Sequence, residues 1–193
     1  MTKHITDIIG FLNEQADYAV LRNFEGLPAK NESRDIDIII TKASLKKVMK
    51  PLVRMIDESG WKIATYLDSD RLTTLVCGRC DEDGTQLVQW DFFINTSVWG
   101  LELMSAEEFL EHRQWNGFLW YVGVECQFLD KYLYNRTVGA EYPEKYKMTR
   151  EAAEHSAIVE KKLLSVFGRK TVENCDAVRG RGLLKAVIKS NMR

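Results

Sequence analysis

The segment from residue 34 to residue 40 reads Arg34-Asp35-Ile36-Asp37-Ile38-Ile39-Ile40. β-Branched residues favour strands, and successive side chains of a strand point to opposite faces. The isoleucines at even positions therefore share one face, which we assign to the core, and Asp35 and Asp37 share the other. The segment predicts a strand over residues 35–40 that carries two carboxylates about 7 Å apart on one face.

Hydrophobic periodicity predicts the elements around this strand. The polar loop before it covers residues 23–33, and the Asp81-Glu82-Asp83-Gly84 segment has the Asp-Gly signal of a hairpin turn. The predicted elements are a helix over 2–14, strands near 18–21 and 35–40, a helix from about 45 closed by Gly60, and strands near 61–67, 72–77 and 86–94. This order is typical of a mixed sheet with helices on one side.

The second half of the chain has a different pattern. Ser105-Ala106-Glu107-Glu108 has the capping-box spacing that begins a short helix. A short strand is predicted over 118–122, followed by helices over about 125–137, 150–167 and 172–190. We therefore predict an α+β protein with an α/β core over residues 1–123 and a helical C-terminal region over residues 124–193.

A third carboxylate, Asp91, lies inside the apolar strand Leu87-Val88-Gln89-Trp90-Asp91-Phe92-Phe93. Strand interiors are depleted in Asp, and two ionised carboxylates repel each other, so we expect a cation to compensate for these residues. Mg²⁺ prefers hard oxygen ligands and completes its shell with phosphates. If this strand neighbours the first, Asp35, Asp37 and Asp91 converge in the arrangement used for two-metal phosphoryl transfer.

Composition excludes several classes of function. The chain has 193 residues and a formal net charge of −1, so no global basic field favours long nucleic acid. No apolar run approaches the ~20 residues of a membrane span, and the N-terminal residues are too polar for a signal peptide. We expect a cytoplasmic protein with four free thiols. The sequence has neither a P-loop nor a Gly-x-Ser-x-Gly elbow, which argues against P-loop kinases and serine hydrolases.

Three features together carry a resemblance to a known family. They are the run Tyr18-Ala19-Val20-Leu21-Arg22-Asn23-Phe24-Glu25-Gly26-Leu27-Pro28, the strand with Asp35 and Asp37, and the later Asp91. Over residues 18–93 the chain resembles the polymerase-β-type nucleotidyltransferase superfamily. Within it, the chain is most similar to the small bacterial nucleotidyltransferase-like proteins found with capsule and exopolysaccharide genes.

The resemblance implies a nucleotidyltransferase-like mixed sheet, with Mg²⁺ held by Asp35 and Asp37. It also implies transfer of a nucleoside monophosphate from an NTP to the hydroxyl of a small, sugar-like acceptor. On the same basis, Asp91 would be a third metal ligand or the base that activates the acceptor.

The chain departs from the superfamily after the first strand. Members usually have Gly-Ser or Gly-Gly there to hold the triphosphate, whereas this chain has Leu21-Arg22-Asn23. Arg22 can replace the contacts of that glycine motif by a charge-assisted contact to phosphate. Asn23, Ser33 and Arg34 complete the predicted set of nucleotide-binding residues.

The same departure leaves two other hypotheses open. One is a nucleotidyltransferase-fold module without catalysis that binds a ligand or serves as a scaffold. The other is a toxin-like enzyme that modifies tRNA ends, against which the near-neutral charge of the chain argues.

Overall fold

The computed structural model describes residues 1–168 except Glu32, Arg34 and Asp83. These residues form two compact units. The first comprises Met1–Asn95 and Ser105–Val122, and the second comprises Thr96–Met104 and the chain from Gly123 onward. The predicted domain boundary near residue 123 stays a prediction. The helix predicted over 172–190 lies outside the described residues.

A seven-stranded mixed sheet forms the first unit. The strands are β1 (Tyr18–Val20), β2 (Asp35–Ile40), β3 (Lys62–Asp68), β4 (Leu72–Asp81), β5 (Gly84–Phe93), β8 (Arg113–Trp115) and β9 (Trp120–Val122). Their order in the sheet is β3-β4-β5-β2-β1-β9-β8. β2 lies between β1, which is antiparallel to it, and β5, which is parallel. The helices of this unit are α1 (Thr2–Gln15), α2 (Lys42–Glu58) and α3 (Ala106–Glu111).

The second unit combines a β-hairpin with helices. Its elements are β6 (Asn95–Val98), β7 (Leu101–Ser105), α4 (Val124–Val138), a short 3₁₀ helix (Glu144–Tyr146), α5 (Lys147–Ala153) and α6 (Ala157–Phe167). The two units together confirm the predicted α+β class with a large mixed sheet and helices.

The main core lies on the sheet face that α1 and α2 cover. Ile36, Ile38 and Ile40 of β2 are buried there, as predicted, together with the apolar stripe of α1 that Ile5 begins. The opposite face of β2 is also shielded, because Asp37 and Ile39 are buried there and Asp35 is half-buried. β2 is therefore a central strand with both faces covered, and this position constrains its polar side chains.

Local capping and turn predictions are confirmed. Ser105 accepts a hydrogen bond from the Glu108 amide while the Glu108 carboxylate accepts one from the Ser105 amide, which begins α3. β4 and β5 form a hairpin in which Asp81 pairs with Gly84.

The second half of the chain differs from the predictions in one helix and one hairpin. The single helix predicted over 150–167 is wrong, because the chain forms α5 and α6 with a break between Ala153 and Ala157. Ser156 begins a new helix, α6, because its hydroxyl accepts a hydrogen bond from the Ile158 amide as the N-cap residue. The β6–β7 hairpin was not predicted. Trp99 and Gly100 form its turn, with φ of 50° and 80°, which is the backbone of a tight two-residue hairpin.

None of the helices within the described residues combines the length and the apolar composition that a membrane crossing demands. Of the cysteines in that part of the chain, Cys77, Cys80 and Cys126 are free thiols.

His4 is a buried titratable group in the core. Its side chain stacks on Trp61 with ring centroids 4.0 Å apart and meets the edge of Trp90 at 6.0 Å. Burial lowers the pKa of His4 to about 4. The N-terminal ammonium acts in the same direction, and Asp7 opposes it. The neutral imidazole is therefore the form that the folded protein accommodates.

We expect this histidine to make the protein sensitive to mild acid. The unfolded chain takes up a proton near pH 6.5 and the folded chain only near pH 4, so stability falls as pH drops through this window. The expected contribution is about 3 kcal/mol. His4→Phe keeps an aromatic ring and removes the titration, so denaturant unfolding between pH 7 and pH 4 should show a smaller loss. The exposed His155, changed to Gln, is the control, and an equal pH slope in His4→Phe and wild type would contradict this account.

Candidate metal centre

Asp35, Asp37 and Asp91 converge on one face of the sheet. The parallel register of β2 and β5 places Asp37 opposite Asp91 and Asp35 opposite Gln89. One carboxylate oxygen from each of the three aspartates lies within 4.8 Å of the other two. The sequence predicted this convergence on condition that the two strands are neighbours, and the register meets that condition.

Two further side chains, which the sequence analysis did not identify, fix the orientation of Asp91. The Thr74 hydroxyl on β4 donates to Asp91 Oδ1 at 2.5 Å, and the Gln89 amide donates to Oδ2 at 2.8 Å. Thr74 lies directly opposite Asp91 in the β4–β5 ladder. Thr is a common strand residue and gave no signal, whereas Gln89 shares the face of Asp91 by its i, i+2 spacing and could have been found.

Arg22 contacts the carboxylate cluster. Its Nη2 lies 2.7 Å from Asp37 Oδ2, and the two side chains are only 16% and 5% exposed. The backbone holds Arg22 in place, because the Leu21 amide donates to the Asp37 carbonyl at 2.8 Å and Asn23 adopts the left-handed conformation with φ of 57°. In this structure the guanidinium thus offsets part of the charge of three closely spaced carboxylates.

The remaining residues of the predicted nucleotide-binding set have separate environments. Asn23 is half-buried and serves the turn after β1. The Ser33 hydroxyl donates to the backbone carbonyl of Asp35 and lies 3.3 Å from Asn31 Oδ1. Arg34 lies outside the described residues. Their roles in binding a nucleotide stay predictions.

The loop between β1 and β2 is anchored by apolar side chains. Phe24 and Leu27 are buried, and the Phe24 ring packs on Tyr121 with centroids 4.3 Å apart. The Lys30 amide donates to the Gly26 carbonyl at 2.8 Å, and a Cβ on residue 26 would lie 2.6 Å from the Lys30 carbonyl oxygen. This close approach requires glycine, and it holds the segment that leads into Asp35.

The donor set fits a hard divalent cation. Three carboxylates offer only oxygen ligands, and Mg²⁺ is bound in proteins by a few carboxylates together with water and phosphate oxygens. Thr74 and Gln89 donate to Asp91 through neutral groups, so they orient this carboxylate without adding a positive charge to the site. The cluster can therefore hold a metal ion.

Comparison with solved structures gives likenesses to several chains, among them two Helicobacter pylori proteins. The chain matches no family model. It matches no curated protein either. It is similar to a provisionally assigned nucleotidyltransferase from H. pylori at 12% identity and a TM-score of 0.43, over 67% of this chain and 55% of that one. It is also similar to JHP933 from Helicobacter pylori at 12% identity and a TM-score of 0.46, over 96% of this chain and 78% of that one. The chain thus spans little more than half of the first of these proteins.

We expect the carboxylate cluster to cost stability when no metal ion is present. Arg22 contacts Asp37, and Thr74 and Gln89 donate to Asp91. Within the described residues the Asp35 side chain has no such partner. Asp35→Asn removes one of three mutually repelling charges and should raise the unfolding free energy in EDTA by about 1 kcal/mol, or Tm by about 2–4 °C. The control is Asp57→Asn, which alters an exposed carboxylate paired with Lys62. A lower Tm for Asp35→Asn would show that this carboxylate stabilises the metal-free fold.

Proposed function

We propose that this protein is a Mg²⁺-dependent nucleotidyltransferase, which moves a nucleoside monophosphate from an NTP to the hydroxyl of a small, sugar-like acceptor. The convergence of Asp35, Asp37 and Asp91 within 4.8 Å carries the proposal. The sequence resemblance over residues 18–93 supports the reaction class. It alone supports an acceptor used in surface polysaccharide synthesis. We also propose a cytoplasmic location, as the composition predicts. We assign this chemistry to the α/β core over residues 1–123, with residues 124–193 as a helical region.

The three carboxylates have different parts in this proposal. Asp37 lies between Asp35 on its own strand and Asp91 on the neighbouring strand, so it would hold Mg²⁺ together with these two residues. Bound Mg²⁺ would activate the acceptor hydroxyl and neutralise the leaving pyrophosphate. Thr74 and Gln89 donate to the two oxygens of Asp91 and fix this carboxylate close to Asp35 and Asp37. We therefore assign Asp91 as a metal ligand rather than as the base of the acceptor.

Arg22 would exchange partners during substrate binding. Its guanidinium contacts one oxygen of Asp37, so it would compete with a metal ion for the charge of that carboxylate. A triphosphate offers a stronger negative charge and a bidentate partner, so the arriving nucleotide can attract Arg22 away from the carboxylate. The residue that replaces the usual glycine motif would then couple nucleotide binding to metal binding.

The first test of the proposal removes a central ligand. Asp37→Asn should reduce Mg²⁺-dependent binding of NTP, and any transfer to a sugar acceptor, by at least about a hundredfold, because loss of a ligand disrupts the metal site. Calorimetric titration with each of the four NTPs in the presence of Mg²⁺ measures the binding. Asp57→Asn makes the same chemical change at an exposed carboxylate and should bind as wild type does. The proposal fails if Asp37→Asn binds Mg²⁺ and nucleotide unchanged.

A second test concerns Arg22 and measures metal binding without a nucleotide or an acceptor. Mn²⁺ titration followed by electron paramagnetic resonance should give about tenfold tighter binding for Arg22→Gln than for wild type, because a competing cation has been removed. Inorganic pyrophosphate should tighten Mn²⁺ binding to wild type and have less effect on the variant. Arg79→Gln, at an exposed arginine, is the control. Weaker Mn²⁺ binding in Arg22→Gln would show that Arg22 supports the site instead of competing for it.

The ion pair between Arg22 and Asp37 also favours the alternative of a non-catalytic ligand-binding or scaffold module. A permanent guanidinium would replace the metal ion as the charge that compensates the carboxylates. The NTP titration distinguishes the two, since a scaffold gives no Mg²⁺-dependent heat. A toxin-like tRNA nucleotidyltransferase would instead shift bulk tRNA in a gel.

A further inference from the structure

A groove of about 730 Å³ lies in the first unit, between α2 and the β3–β4 hairpin. Tyr66 and Thr73 line it, and the ladder places them on the same sheet face as the buried Leu75. Thr74, which donates to Asp91, points to the opposite face. The groove is therefore separate from the carboxylate cluster, and the proposed transfer reaction does not use it.

Basic side chains line both sides of the groove. Lys42, Lys46 and Lys50 project from α2 at i, i+4 spacing, and Arg71 lies on the β3–β4 side. Within residues 1–168, apart from the three undescribed positions, none of these four side chains has an ion-pair or hydrogen-bond partner. Two carboxylates, Asp68 and Asp70, also line the groove, so the charge of the lining is positive by two.

The lysine row is electrostatically unfavourable for the helix that carries it. Like charges at i, i+4 destabilise a helix, and Lys42 adds a cation to the first turn, where the helix dipole favours anions. α2 has no acidic residue before Asp57 to relieve this repulsion. The lysine row therefore lowers the stability of the protein without a ligand, as the carboxylates on the other face do. Such a row suits a ligand of negative charge.

The rest of the lining defines the ligand more narrowly. Leu45, Met49 and Val53 give α2 an apolar floor, and Tyr66 is 52% exposed with a ring that a flat ligand can cover. Asp68 accepts a hydrogen bond from Thr73 at 2.7 Å, and both it and Asp70 have oxygens that can accept from ligand hydroxyls. The groove thus offers cations that can contact a phosphate, carboxylates that can accept from hydroxyls and an aromatic ring. These are the contacts that suit a phosphorylated sugar.

We propose that this groove is a second binding site, which takes a phosphorylated sugar either as the free sugar phosphate or as part of a nucleotide. The phosphate contacts the lysine row and Arg71, and the sugar hydroxyls contact Asp68 and Asp70. A base, where present, lies on Tyr66. Binding at this site needs no divalent metal ion.

Titration in EDTA tests this site without involving the metal centre. Ribose 5-phosphate, adenosine 5′-monophosphate and inorganic phosphate are titrated into wild type, Asp37→Asn, Lys46→Gln and Lys47→Gln, followed by amide shifts in NMR spectra. Lys47 is the matched control, because it is the next residue on α2 but its Nζ donates to the Gln15 carbonyl and it does not line the groove.

We expect both sugar phosphates to bind wild type and Asp37→Asn equally, and Lys46→Gln to bind about tenfold or more weakly, since one charge-assisted contact is lost. Lys47→Gln should bind as wild type does. If adenosine 5′-monophosphate binds more tightly than ribose 5-phosphate, and Tyr66→Ala removes that difference, the ligand of the groove is a nucleotide. If the two bind equally, the ligand is a free sugar phosphate.

Four results would overturn the proposal. They are absence of binding to wild type, equal weakening by Lys46→Gln and Lys47→Gln, loss of binding in Asp37→Asn, and inorganic phosphate binding as tightly as the sugar phosphates. None of these results alters the Mg²⁺-dependent binding that tests the nucleotidyltransferase proposal, so the two can fail independently.

Discussion

Three carboxylates held on two adjacent parallel strands are the constraint on which the rest of this structure depends. Asp37 and Asp91 face each other across the β2–β5 ladder, and both are buried. A shift of one residue in that register would turn the aspartates toward the helix-covered core and the isoleucines away from it. The same register therefore buries the isoleucines of β2 in the core and brings the three aspartates together on the other face.

The polar neighbours of the cluster show how the fold tolerates this charge. Thr74 and Gln89 direct their donors at Asp91, and Arg22 contacts Asp37. Buried polar groups without such partners are costly, so these three side chains do part of what a bound cation would do. This partial compensation lowers the electrostatic cost of the three carboxylates, and it places Arg22 where, under the proposed function, it would compete with a metal ion.

The sequence predicted the elements whose physics is local. β2, the apolar stripe of α1, the Asp81–Gly84 turn and the Ser105 capping box all follow from spacing within a few residues. The break at Ser156 was not predicted because Ser, although favoured as an N-cap, also occurs within helices, and the turn at Trp99 was not predicted because Trp is not a typical turn residue. The partner of Arg22 was not predictable either, since the same guanidinium suits a phosphate or a neighbouring carboxylate and only the register of β1 against β2 brings Asp37 within reach.

A net charge of −1 gives little information about this molecule, because opposite charges lie on opposite faces of the same sheet. Three carboxylates gather on one face, while the lysines of α2 lie above the other. Each group repels itself and neither neutralises the other across the sheet, so both raise the energy of the protein alone. Asp is unusual in a strand, so the sequence marks the carboxylates, whereas lysine is ordinary on a helix and a row at i, i+4 spacing carries no such mark. Charge should therefore be assessed by face and spacing, since like charges brought together by regular structure indicate where a ligand of the opposite sign would bind.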